Sequence, residues 1–385
     1  MNRIPPIPEE SKMKSMQISA LLFVLVLGAL AEETLTVEVL AAEEAATTMI
    51  SGLNGPMGVL VTDDGDVWVI DMGVGGDDKV ILRDPTTAQM TDYDFGESAQ
   101  IVHLDPDGRR TKVVNLPSWY AGPGQAAGGA RLAMLDGTVY ATVGGFSKDP
   151  APSMASVVRI EDGRAVQLVS AWAFESTRNP DGLILESNPY GLTVGPDGDL
   201  WMTDAAGNSL IKIDPHTGEM ELVAVFDGVP SPIPHPNRGG AMETDPVPTG
   251  VAFDDEGNAY VSFLPGFPFA AGSAKVVRVD SNGSVSDYAT GLTMLTDIRR
   301  GPDGFFYAVS IGKFTEHGSV PNSGAIVRIK EGTASEQVVA ELSSPTSIAF
   351  SVAGDAYVTI NGIGPSGTGE VVMYKGLASG PRSIP

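Results

Sequence analysis

The feature that most constrains this chain is a module that it repeats six times. The clearest copy, residues 188–214 (NPYGLTVGPDGDLWMTDAAGNSLIKID), reads as a strand over 190–194, a Pro196-Asp197-Gly198 turn, a strand over 200–203 and a third strand over 210–213. Alternating apolar and polar residues around an Asp-Gly turn mark a β-hairpin, not a helix. Residues 55–71, 128–144, 247–263, 295–311 and 344–360 fit the same template. The second strand of each copy carries one aromatic residue at a fixed offset: Trp68, Tyr140, Trp201, Tyr260, Tyr307 and Tyr357. Third strands follow at 100–105, 156–161, 209–214, 275–280, 325–330 and 370–375, and five copies continue into a fourth.

Six four-stranded antiparallel units imply an all-β fold, a six-bladed β-propeller, because no unit buries both of its faces without a neighbour. The aromatics are expected to fill the space between adjacent sheets. The sixth copy lacks a fourth strand, and residues 47–53 (TTMISGL) have the form of one. They are expected to close the ring against 370–375 and so to cover the last open edge.

Residues 12–31 carry two lysines, an apolar run from Ile18 to Leu30 and an Ala29-Leu30-Ala31 end, the pattern of a secretory signal peptide cleaved after Ala31. The run is short for a bilayer span; an uncleaved anchor is the alternative. Met13 and Met16 stand as alternative starts to Met1. The expected order is a signal peptide (1–31), a leader (32–46), the propeller (47–377) and a flexible tail (378–385), with no membrane contact after cleavage and a secreted, periplasmic or extracellular location. There is no cysteine, which excludes disulfides, thiolate nucleophiles and cysteine-held zinc. A net charge of −24 argues against nucleic acid and against anionic lipid. The expected protein is a monomer.

In such a fold the short Asp-Gly turns share one rim. The longer segments, including 71–98, 117–128, 172–188, 227–247, 263–273, 311–323 and 361–369, share the other. A rigid scaffold places its binding residues on such loops, or in the channel beneath them. Tyr190, Asn208, Asp297, Glu316, His317 and Asn361 are the candidate ligand-binding residues there. Asp71 and Asp204 end second strands and point into these loops; with Asp77 and Asp78 they are the candidate oxygen ligands for Ca²⁺ or Mg²⁺. The competing reading makes Asp71 and Asp204 caps on loop N–H groups. No complete EF-hand loop, P-loop or G-x-S-x-G elbow is present. Of four histidines, His103 and His216 occupy a strand and a short turn, which leaves His235 and His317, with Glu243 or Glu316, as candidate general bases. No cofactor is fixed by the sequence.

Three passages add a family likeness. Residues 51–78, 179–214 (NPDG…SNPYGL) and 265–280 (PGFPFAAGSAKVVRVD) resemble the ScyD/ScyE family of exported propeller proteins over roughly residues 47–377. The resemblance implies the fold and export, and it brings no defined reaction. The P-x-G…DG…W core is also similar to gluconolactonase-like propellers and streptogramin lyases. A gluconolactonase-like reading implies one divalent ion above the channel and a metal-activated water that opens a lactone. A streptogramin-lyase reading implies a histidine base, a glutamate and a metal. That family's Phe-Thr-Glu signature is absent, and Trp201-Met202-Thr203-Asp204 stands in its place. The leading expectation is a binding protein that grips a small molecule, glycan or protein with its long-loop rim. A metal-dependent hydrolase or lyase and a structural part of an extracellular complex are the alternatives.

Overall fold

The computed structural model describes residues 46–83, 90–122, 125–145 and 153–379. The expected signal peptide, the leader up to residue 45 and the tail from residue 380 lie outside the described residues.

Among the described residues, six antiparallel sheets are each led by one copy of the repeat, and two two-stranded ribbons, Val229–His235 with Ala241–Thr244 and Phe314–Thr315 with Gly318–Ser319, accompany them. Sheet 1 runs from Pro56–Val61 through Val67–Asp71 and Met90–Leu104 to Arg110–Gly122 and Gln125–Ala127, with Asp78–Arg83 paired to the first half of Met90–Leu104. Sheet 2 comprises Gly129–Leu135, Thr138–Val143, Ser156–Glu161 and Arg164–Ser170. Sheet 3 comprises Pro189–Val194, Leu200–Asp204, Ser209–Ile213 and Met220–Val225. Sheets 4 and 5 begin at Pro248–Phe253 and Leu295–Arg300. Sheet 6 holds Ser347–Phe350, Ala356–Ile360 and Gly369–Tyr374, and its outer strand is Thr47–Leu53. This last pairing is antiparallel, from Thr47 opposite Met373 to Leu53 opposite Gly369.

The core is divided into six apolar clusters, one between each pair of consecutive sheets, with the cluster around Ile50, Val69 and Val371 joining sheet 6 to sheet 1. Each second-strand aromatic packs in the cluster shared with the following sheet. Tyr307 stacks toward Phe350, Tyr260 toward Phe306, and Trp201 meets Phe253 edge-on. Several turn carboxylates also bind these rings: Tyr307 Oη donates to Asp303 at 2.7 Å, and Trp201 Nε1 to Asp197 at 3.1 Å. A turn residue thus anchors the polar end of a ring whose body fills the gap.

The first strands meet at the common centre, each touching the next, with that of sheet 6 touching that of sheet 1. Hydroxyl groups bridge neighbouring sheets there: Thr142, on the second strand of sheet 2, donates to the Tyr190 carbonyl, Thr249 to that of Leu295, and Thr346 to that of Pro56. In five of these strands the register slips within the first few residues. The N–H groups of Arg131, Gly191 and Gly250 at the slips are taken by Thr142, Thr203 and Ser262 hydroxyls. Backbones approach closely here: a Cβ on Gly250 would lie 2.6 Å from the Ile298 nitrogen.

Two of the long segments hold more order than the sequence reading gave them. Residues 171–178, read as part of a loop, form a helix, Ala171–Arg178, capped by Ser170 Oγ on the Ala173 N–H at 3.1 Å. Its residues include no glycine or proline and show no strand alternation. Within segments 71–98 and 117–128, Asp78–Arg83 pairs with the start of Met90–Leu104, and the end of Arg110–Gly122 with Gln125–Ala127, which lengthens sheet 1 as a ribbon.

Candidate functional site

The registers align the six first strands residue by residue. Opposite the six aromatics stand Leu60, Ala133, Thr193, Ala252, Arg299 and Ala349. Two residues earlier in each strand stand Gly58, Arg131, Gly191, Gly250, Asp297 and Ser347. Small and apolar residues are what the crowded centre admits, and the three charged side chains are the exceptions. All three meet there.

Arg131 and Asp297 are both fully buried. Arg131 Nη1 donates to the carbonyls of Met57 and, at 3.1 Å, Ala130; Nη2 donates to those of Thr296 and, at 2.8 Å, Thr346. One guanidinium thereby ties together the first-strand segments of sheets 1, 2, 5 and 6. Its Nε faces Asp297 Oδ2 at 3.5 Å, and its plane lies over the Tyr190 ring at 4.5 Å from the centroid. Asp297 also accepts from Ser347 Oγ at 2.6 Å and from the N–H groups of Ile298 and Ile348. Burial raises the Tyr190 phenol, and the Arg131 charge pulls it back. A buried charge persists only where such partners replace water. Arg131 therefore plugs the centre.

Below the plug, on the side of the Asp-Gly turns, the second halves of all six first strands enclose a cavity of about 380 Å³. Its wall is mostly aliphatic, with Phe253 and Phe350, and no carboxylate lines it. Arg299, partly buried, is its cation: Nη1 and Nη2 both donate to the Leu192 carbonyl at 3.3 Å, and Nε stands 3.6 Å from Asp297 Oδ1.

Of the residues singled out from the sequence, the structure brings together Tyr190 and Asp297, on Arg131. The others stay apart. Asp71 accepts from the Asn54 and Gln100 N–H groups and from Gln100 Nε2; burial pushes its carboxyl up to about 6, against the pull of those bonds. Asp204 accepts from Ser187 Oγ at 2.6 Å and from the N–H groups of Asn188, Ala206 and Gly207. These two carboxylates end strands of sheets 1 and 3, with sheet 2 between them, and local donors occupy their oxygens. That arrangement does not fit a shared divalent ion. Among the described residues no group of three or more His, Cys, Asp or Glu side chains is placed to hold a metal.

Asn208 donates to Asp181 of the segment after the helix at 2.9 Å, and Asn361 to the Thr368 carbonyl of its own loop at 2.9 Å. Glu316 and His317 lie on the small hairpin of Phe314–Thr315 and Gly318–Ser319, 3.5 Å apart, with the imidazole exposed. His235 faces Asp245 at 3.5 Å rather than Glu243, and Asp245 is also held by Arg238 at 2.8 Å.

The sequence reading missed Arg131, Arg299 and Glu175. The first two were legible: aligning the six copies on their aromatics exposes them as charged residues in small or apolar columns. Glu175, on the helix, is buried with Oε1 lacking any partner. Burial, with Asp204 and Asp181 nearby, pushes its carboxyl from the ordinary 4.5 to about 8. Nothing in the helix sequence signals that.

No family model matches this chain, and no curated protein matches it. Among solved structures, it is similar to virginiamycin B lyase from Staphylococcus aureus (18% identity over 86% of each chain, TM-score 0.44). It is also similar to a gluconolactonase from Xanthomonas campestris (16% identity, 87% of this chain and 93% of that one, TM-score 0.48). A third is the calcium-binding protein regucalcin from Agrobacterium tumefaciens (13% identity, 88% and 98%, TM-score 0.48).

Proposed function

We propose that this chain is an exported, six-bladed β-propeller of the ScyD/ScyE type, its ring closed by residues 47–53, and that it is a binding protein whose ribbon-bearing rim engages a partner. The blade count is supported by the six interleaved apolar clusters and by the cyclic succession of first strands. The binding reading is carried by one observation. The added ribbons all rise from the rim away from the Asp-Gly turns, and they expose large apolar side chains: Ile81 and Met90 on sheet 1, Met242 on the Val229–His235 and Ala241–Thr244 ribbon, and Val320 beside the small hairpin. Phe269 packs between Phe267 and Phe314 on the same rim. Exposed apolar groups gathered on the loops and ribbons of one rim favour an interaction surface there, whereas Val352 at the opposite rim stands singly. Their aliphatic character favours a protein partner over a glycan.

The test compares wild type with an Ile81→Asp/Met242→Asp variant. Each is incubated with culture supernatant of the host, and retained material is identified by mass spectrometry and sugar analysis. The reading expects a component held by wild type and lost by the variant. Equal retention by both, or none by either, overturns the rim assignment.

A further inference from the structure

We propose that the central cavity on the Asp-Gly rim is a binding site for an organic monoanion with an apolar body, such as a medium-chain carboxylate, whose head group pairs with Arg299. The site lies at the opposite mouth from the ribbons and does not depend on the rim reading.

The position of Arg299 is the first argument. Five sheets place Leu60, Ala133, Thr193, Ala252 or Ala349 opposite their aromatic, and only sheet 5 places a cation there. Packing needs no guanidinium at a position that alanine and threonine fill elsewhere. The second argument is charge. Arg131 and Arg299 share one carboxylate, Asp297, and Asp297 stands 3.6 Å from Arg299, beyond hydrogen-bonding distance. Arg131 answers its own charge with four carbonyls as well; Arg299 has one carbonyl, that of Leu192. Burial depresses the Arg299 guanidinium, with Arg131 adding to the effect against the pull of Asp297. The centre thus carries one cation more than its anions, in a protein whose overall charge is −24.

The third argument is shape and lining. About 380 Å³ enclosed by six strands is within the size range of small-molecule pockets. Val59, Val61, Leu132, Val194, Val251 and Phe350 offer aliphatic and aromatic surface and no competing acceptor. The other arginine at the mouth, Arg300, is already bidentate on Asp255 at 2.6 and 2.7 Å, which leaves Arg299 as the one available head-group partner. The Arg131 plug stops an entering chain at the level of Arg299. A carboxylate that arrives there forms a charge-assisted bond with a partly desolvated guanidinium.

The test uses octanoate and its neutral counterpart octanamide as probes, with the whole protein, by isothermal titration and by thermal shift. The expected result is saturable 1:1 binding of octanoate, with octanamide weaker by about tenfold or more, the size of a lost charge-assisted bond. Arg299→Gln should remove the difference between the two probes. Thr193→Trp, which fills the cavity and keeps Arg299, should abolish binding of both, so the outcome does not hang on a single variant folding. Equal binding of the two probes by wild type, undiminished octanoate binding by either variant, or no saturable octanoate binding up to about 10 mM overturns the proposal.

Discussion

Two arginines interrupt the same repeat, two repeat positions apart on different sheets, and the structure treats them differently. Arg131 meets four backbone carbonyls, a carboxylate and an aromatic face, and it is wholly enclosed. Arg299 meets one carbonyl, stands off from the carboxylate that it faces, and borders a cavity. A guanidinium whose two Nη groups meet carbonyls from four sheets holds the fold together, while its Nε, 3.5 Å from Asp297, has no hydrogen-bond partner. A charge left with spare donors beside a void is free to meet something else. The same contrast separates two buried carboxylates: Asp204 has four local donors, whereas Glu175 has an oxygen with none.

The largest effect that would break this comparison is on Arg131. Arg131→Met removes one of the two cations beside buried Asp297 and frees four carbonyls. We expect a loss of about 3–5 kcal/mol in denaturant unfolding. A loss similar to that of a surface substitution would remove the distinction between plug and floor.

Glu175→Gln tests the second pair. Its carboxyl is raised in the fold, from 4.5 to about 8, so the unfolded chain gives up this proton first as the pH climbs. Its contribution is fully present below about pH 4.5 and is lost as the pH rises toward 8. Wild-type stability should therefore fall across that window. The variant should flatten the fall and unfold about 1–2 kcal/mol later at pH 8, comparable to the cost of one unpaired buried group. Thermal melts at pH 5 and pH 8 read this directly.

Arg299→Gln should change stability by less than about 1 kcal/mol, since the fold asks little of that side chain. A loss as large as that of Arg131→Met would make both arginines structural. Met242→Asp, on an exposed ribbon, should stay within about 0.5 kcal/mol in the same melts.

Much of the architecture was legible in the sequence, because the repeat fixes it. Alternation, Asp-Gly turns and six aromatics at one offset within each copy specify strands, hairpins and interfaces locally. The incomplete sixth copy, together with the form of residues 47–53, points to the pairing of Thr47–Leu53 with Gly369–Tyr374. Asp71 and Asp204 were harder to read. A carboxylate at a strand end serves equally as a cap or as a ligand, and only the positions of Asn54, Gln100, Ser187 and Gly207 show which donors it meets. The grouping of Tyr190 and Asp297 on Arg131 joins residues 59 to 166 positions apart in the chain (190−131 and 297−131), beyond any local pattern. The helix was missed because its setting inside a run of strands outweighed its weak local signal, and Glu175 was missed with it.

The central claim is that one buried arginine locks the converging strands through its carboxylate, and a double-mutant cycle on Arg131→Met and Asp297→Asn in equilibrium unfolding tests it most directly. The account predicts that the double variant is more stable than the sum of the two single losses implies, with a coupling of about 1–3 kcal/mol. Losses that add to within about 0.5 kcal/mol would contradict it.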